Sequence, residues 1–435
     1  MYDDFSYLGT WWLPSNKQDK WSGVVSYRPG IGVELELVAK REDIWFEPSL
    51  NNVASVEIMQ GEVGQYPHRI TLLNVSVLFK KFSPSRTSRM FYVPLGAEFL
   101  LLGNHYEKKE EITFKSVEVI YSSLGSWMAS VINRIRRPWK VSVTFKKTKA
   151  EIVLFNAPQS YPAPQESYIE IVPDADQGLD WYCEVIDSLR NLLALLVGSP
   201  IASKKMSTPT DLGQVWESQF VSISHCIQPI EDTHEHDMVF PLARLNRQVS
   251  DVFPTWFEWS EDELVPYSLC LDVINDDCAY STFEFLALVQ ALESYHRLYY
   301  EEPGVSEGKY KKENGEVNKD GPTLMDRLKE LNENFPASLS ESIDLTTEFL
   351  TRVKDSRNYY SHYNSDGKDK AMIDTELDDA ISRLIPFIAY FLYRRLNISK
   401  DVIIQAFEQA NFSGLWQRPW PEKRETVAPE QTATT

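Results

Sequence analysis

The sequence predicts an α+β multidomain chain: a β-rich, sandwich-like N-terminal domain followed by a C-terminal all-α helical bundle. Three observations predict it. Short, β-branched, partly alternating runs fill the first 160 residues. The apolar period lengthens from two towards 3.6 at about Asp180. Beyond about Asn246, runs of helical period follow one another with short links.

In chain order the strands are VVSYRPG, GVELELVA, ITLLNVSVLF, ITFKSVEVIY, WKVSVTF and AEIVLF, with turns rich in Gly, Pro, Asn and Ser between them. Near-regular spacing of this kind suits a sandwich or jelly roll. DWYCEVIDSLRNLLALLVG then predicts a helix near 179–197 stopped by Gly198. FVSISHCI and MVFPLARL, within residues 213–245, read as strand-like pieces and go with the N-terminal domain. STFEFLALVQALESYHRLYY is a long helix that Ser281 or Thr282 should cap. The polar, Gly- and Lys-rich stretch 303–322 reads as a mobile loop. PTLMDRLKELNENF, LSESIDLTTEFLTRVKDSRNYYSHY (starting at Ser340), DTELDDAISRLIPFIAYFLYRRL and SKDVIIQAF complete an antiparallel bundle. The expected domains are therefore β-rich over 1–245, helical over 246–415 and a disordered tail over 416–435.

Composition narrows the function. Across 435 residues the net charge is −19, so phosphate is repelled at long range and a general nucleic-acid coat is excluded. A nucleic-acid site must then be a local basic patch, or one opened by a partner or a conformational change. Cys183, Cys226, Cys270 and Cys278 form no Cys-x-x-Cys pair and read as reduced thiols of a cytoplasmic protein. MYDDFSYLGTWW lacks a basic region leading into an apolar run, so no signal peptide is expected. No run of 18 apolar residues exists to cross a membrane. Gly-rich phosphate loops, dinucleotide fingerprints and His-Glu-x-x-His are absent from the sequence.

The chemistry concentrates at Arg357-Asn-Tyr-Tyr-Ser-His362. Six residues supply a cation, an amide, a hydroxyl on Ser361 and an imidazole. At 100° per residue, Ile343, Leu350, Val353 and Arg357 share an inward stripe. Asn358 and His362 are four apart and neighbour one another, whereas Arg357 and His362 diverge by roughly 140°. An inward Arg needs a carboxylate or a phosphate. Glu293, at the edge of the stripe Phe285, Val289, Leu292, His296 and Tyr299, is the candidate interhelix partner. The set suits RNA. Attack by a 2′-OH on the adjacent phosphate needs no metal; His362 can act as general base or acid and Arg357 can stabilise the charged transition state. DNA lacks the 2′-OH and is excluded from this route. The plainer alternative is a solvated helix surface.

Arg357-Asn358-x3-His362 resembles the Arg-x4-6-His signature of HEPN domains, in the form where Asn follows the Arg. FLALVQALESYHRLYY is similar to the first long helix of ApeA-type HEPN proteins. GTWWLP, SGVVSYRPGIGVELEL, ITLLNVSV and FLLLGNHYEKKEEITFKSVEVIYSSLGSWM resemble the ApeA N-terminal domain. The resemblance covers most of the chain. It implies a metal-independent endoribonuclease of antiphage defence by abortive infection, with Arg357 and His362 catalytic and Asn358 supporting. It further implies a homodimer through the HEPN domain in which two motifs face one cleft, an RNA substrate and no cofactor. Glu293 and His296 lie in the matching upstream helix. The acidic charge suits a toxic nuclease held inactive until a trigger, such as a phage-derived one, releases it. The alternative is a catalytically inactive HEPN scaffold that binds RNA or a partner protein.

Other features read more plainly. His225-Cys226 with His234 and His236 lacks the second Cys pair of a zinc site. KKFSPSRTSR (80–89) and IRRPWK (135–140) read as solvated basic segments. Lys309, Lys311 and Lys312 are the better candidates for an RNA path, and Trp11-Trp12 reads as core.

Overall fold

A computed structural model describes residues 5–28, 31–40, 55–64, 68–78, 90–129, 138–155, 167–208, 218–222, 232–275, 280–301, 321–362 and 365–409. The chain forms two compact units, Met1–Leu264 with Tyr393–Ile403 and Val265–Leu392 with Ile404–Thr435. A β-rich region precedes a helical one, as the sequence predicts.

The strands are β1 Phe5–Leu13, β2 Asn16–Arg28, β3 Gly32–Lys40, β4 Ser55–Val63, β5 Arg69–Val77, β6 Met90–Leu102, β7 Thr113–Phe114, β8 Val117–Tyr121, β9 Trp139–Phe145, β10 Thr148–Phe155, β11 Tyr168–Pro173, β12 Gln177–Gly178, β13 Ser203–Thr208 and β14 Ser218–Ser222. The main sheet runs β3-β2-β1-β4-β5-β6-β14-β13-β8-β11-β10-β9, and β3 also pairs with β6. That extra pairing closes the first six strands into a barrel. Full closure removes the exposed edges that an open sheet would leave. The shared strand is β6. Residues 90–97 pair antiparallel with β3, residues 99–101 pair with β14, and the opposite edge pairs with β5.

Alternation fills the barrel. Trp11, Val25, Leu35, Met59, Ile70, Leu72 and Leu95 are all fully buried inward residues. The Trp pair is core, as expected: Trp11 Nε1 donates to the Gly23 carbonyl at 3.1 Å, and Trp12 Nε1 donates to Gln60 Oε1 at 2.8 Å. Gly61 lies directly beneath the Trp11 ring, which leaves no room for a Cβ. The rest of the sheet is covered by a helix.

The helices are α1 Leu124–Met128, α2 Leu179–Val197, α3 Leu242–Leu245, α4 Val249–Glu258, α5 Glu261–Asn275, α6 Ser281–Tyr300, α7 Leu324–Asn334, α8 Ala337–Ser342, α9 Thr347–His362, α10 Thr375–Arg395 and α11 Lys400–Gln409. Helix α2 stands where predicted, and Gly198 stops it with φ 81°. Tyr121 of β8 donates to the Ile186 carbonyl of α2 at 2.8 Å, and Tyr182 donates to the Phe114 carbonyl at 3.1 Å. Cys183 and Cys270 are free thiols, and burial pushes both up to about 12, far from reactive thiolate character. Cys226 and Cys278 lie outside the described residues.

Several expectations change. MVFPLARL is not a strand: its Pro241 opens the short α3. Helix α4, expected with the bundle, belongs to the first unit, where Phe257 meets Phe145 of β9 edge-on at 5.7 Å and Trp256 donates to Ser188 of α2. Ser281 does not cap α6. It is the first helical residue, and its hydroxyl donates to Asp378 of α10 at 2.6 Å. The single helix expected from Ser340 is two, α8 and α9, separated where Asp344 takes φ 52°. Ile343 therefore caps α8 and shares no helical phase with Arg357. Within α9 the innermost polar residue is Ser356, whose Oγ accepts the Met372 amide at 2.8 Å, and Arg357 sits at the rim of the stripe.

Candidate functional site

The site is built on α6, α7 and α9 of the helical unit. The apolar face of α6 (Phe285, Leu288, Val289, Leu292) and that of α9 (Phe349, Leu350, Val353) bury themselves in the unit's interior. Helix α7 begins with a capping box, in which Thr323 and Asp326 satisfy each other's backbone amides. These three helices bring a chain of charges together at one end of the core.

Glu293 is its centre. Its side chain is only 4% exposed, and a buried carboxylate needs cations around it. Arg357 of α9 reaches Oε2 through Nη2 at 3.1 Å, the interhelix pair the helical stripes predict. Arg327 of α7 approaches Oε1 through Nη1 at 3.5 Å, and Arg297 lies one turn along α6 at 3.9 Å. Arg327 also donates from Nε to Glu301 Oε1 at 2.8 Å. His296 is completely buried; Nδ1 faces Glu301 Oε1 at 3.1 Å and Nε2 faces Glu330 Oε2 at 3.0 Å. Burial alone would raise the Glu301 carboxyl, but the hydrogen bonds and charges of Arg327 and His296 outweigh it and hold the group below the usual carboxylate range. The ring of Tyr300 stacks on His296 at 5.1 Å, and burial pushes its hydroxyl up.

Arg357 itself keeps 28% of its side chain exposed. Its Nη1 makes only a long contact, 3.4 Å, with Asn358 Oδ1. Asn358, Ser361 and His362 are exposed, and His362 is the last residue of α9. The structure thus joins Arg357, Glu293 and Asn358. It does not bring His362 onto Arg357: among the described residues His362 has no hydrogen bond or ion pair. His296 belongs to the buried network and has no access to a ligand. Arg327, Glu301 and Glu330 were not singled out from sequence; the spacing of Arg327 and Glu330, three apart on a helix that faces α6, is the signal that could have found them.

Lys309, Lys311 and Lys312 lie outside the described residues, as do His225, Cys226 and the run 80–89. His234 and His236 stack at 5.6 Å. Among the described residues no group of three His, Cys, Asp or Glu side chains is arranged to hold a metal ion. No described helix is long and apolar enough to cross a membrane.

The family described as ApeA N-terminal domain 1 matches residues 6–256, more than half of the chain. The chain belongs to the ApeA family. A second match, to the Apea-like HEPN domain, covers residues 286–402 of this ApeA protein and includes Glu293, Arg327, Arg357 and His362. No curated protein and no solved structure matches it.

Proposed function

We propose that this ApeA protein is a metal-independent endoribonuclease that acts in antiphage defence by abortive infection. Arg357 carries the reading. Its guanidinium is tethered through one nitrogen to a buried carboxylate while just over a quarter of the side chain stays open, so donors remain for a phosphate. A surface arginine with no task needs no such mooring.

The reaction follows from RNA's own chemistry. A ribose 2′-oxygen attacks the adjacent phosphorus, the bond to the 5′-oxygen breaks, and a 2′,3′-cyclic phosphate and a 5′-hydroxyl result. The 2′-OH proton must leave and the departing oxygen must gain one. His362 serves one of these transfers. Arg357 neutralises charge on the phosphoryl oxygens, and Asn358 and Ser361 orient the phosphate. Arg357 and His362 are separated by five residues, a rise of about 7.5 Å and a turn of about 140° along an ideal helix. One protomer therefore offers half a site, and a homodimer through the HEPN domain brings two motifs to one cleft. The HEPN-matched residues 286–402 are the nuclease part, and the β-rich N-terminal part holds it inactive in the cytoplasm until a phage-derived trigger arrives. The charge of −19 supports a nuclease that does not bind RNA freely at rest.

The test uses the full chain on a single-stranded oligoribonucleotide and its 2′-deoxy counterpart, with EDTA present. Cleavage of the RNA alone is expected, with Arg357→Ala and His362→Ala each lowering the rate about 10²- to 10³-fold. No cleavage by the wild-type chain would leave the inactive scaffold as the better reading, and undiminished cleavage in both variants would remove the site from Arg357 and His362.

A further inference from the structure

We propose that Arg327 is a positioning residue for Arg357, acting through the carboxylate they share. The inference rests on the nuclease reading above. Glu293 has two oxygens: Oε2 faces Arg357 at 3.1 Å and Oε1 faces Arg327 at 3.5 Å, with the largely exposed Arg297 farther from Oε1 at 3.9 Å. A guanidinium facing a free carboxylate prefers to take both oxygens in a paired fork. If Arg357 did so, two of its donors would be turned inward and lost to a phosphate. Arg327 prevents this by occupying the second oxygen.

Arg327 is well placed to hold that position. Its Nε is fixed by Glu301 at 2.8 Å, and Glu301 is fixed in turn by His296. The side chain is 10% exposed and lies on α7, whose first turn is set by the Thr323–Asp326 capping box. Arg327 is largely buried behind Glu293, so the effect is exerted on orientation.

The experiment compares Arg327→Ala, Glu293→Gln, the double variant and Arg357→Ala in the full chain. It measures kcat and KM on a mixed-sequence single-stranded oligoribonucleotide. It also measures the rate at which phenylglyoxal modifies Arg357, followed by mass mapping, which needs no turnover. Arg327→Ala should lower kcat about tenfold with KM nearly unchanged, as loss of an interaction felt in the transition state does. It should also slow modification of Arg357. On the Glu293→Gln background, where no charged fork can form, Arg327→Ala should change neither quantity further. Arg327→Lys, which keeps a cation beside Oε1, should restore most of kcat.

Loss of cleavage in Arg357→Ala with unchanged kcat and unchanged modification in Arg327→Ala would overturn the role of Arg327 alone. Effects of Arg327→Ala and Glu293→Gln that multiply would do the same. Unchanged cleavage in Arg357→Ala would overturn the nuclease site at Arg357 and this inference with it. Should Arg327→Ala fail to fold, Arg327→Gln retains the length and removes the charge; unaltered kcat and Arg357 modification in that variant would overturn the proposal.

Discussion

Inside the barrel the side chains of Trp11, Met59, Ile70, Leu72 and Leu95 form one apolar cluster, and the two tryptophans send their single N–H groups to Gly23 and Gln60. Inside the helical unit the most buried stretch of α6 holds Glu293 and His296, with Arg327 beside them. Both interiors are largely apolar, yet the helical one also encloses a chain of charges. Apolar burial is non-directional and stabilises whatever shape is well packed. A buried ion network is a weak source of net stability, because desolvation opposes the attraction, but it fixes geometry at each link. The barrel is therefore built to hold a shape, and the helical unit to aim a guanidinium.

The contrast can be broken by substitution. Trp11→Ala should have the largest effect, about 4 kcal/mol off barrel stability, since a cavity of indole size cannot collapse against paired strands. Urea unfolding followed by barrel-specific hydrogen exchange measures it. Glu293→Ala comes next, at about 3 kcal/mol, because it leaves the buried Arg327 cation without one of its carboxylates. Should that variant lose nothing, the network is ornamental and the contrast fails. Gly61→Ala should cost about 2 kcal/mol by pushing a methyl group into the Trp11 ring.

Acid sharpens the comparison further. Glu301 is held below the usual carboxylate range, so its contribution is fully present above the ordinary value and is lost as pH falls through the lowered one. Melting of the α6–α7 amides should therefore move to lower temperature below about pH 4, while the amides around Trp11 keep their protection longer. The smallest effect belongs to His362→Ala. An exposed side chain without partners among the described residues should change stability by less than about 0.5 kcal/mol, which separates its activity loss from any folding defect.

How much of this was legible in the sequence depends on the range of the interaction. Strands of alternating pattern, α2 with its Gly198 stop, and the Glu293–Arg357 pair all follow from local period, and they stand as predicted. Barrel closure did not follow, because β3 and β6 are separated by β4 and β5, and no local pattern records which strand returns to which. The break at Asp344 did leave a trace that the helical period overrode: Thr346 and Thr347 are weak helix formers, and the Thr346 hydroxyl accepts the Phe349 amide at 3.2 Å at the start of α9. Ser281 looked like a cap because serine usually is one, and a neighbouring helix took its hydroxyl instead. Arg327 escaped notice because charged residues on a short helix normally face water.

Strand β6 has one more consequence. At 13 residues it extends for about 43 Å, and its one edge is divided between β3 and β14. The barrel wall and the open sheet thus share a single spine. Peeling β14 away would start a tear at residues 99–101 whose next bonds are those of the barrel seam itself. Pulled along the chain, the two parts of the sheet should yield in one force peak rather than two, with β6 as the seam that sets its height.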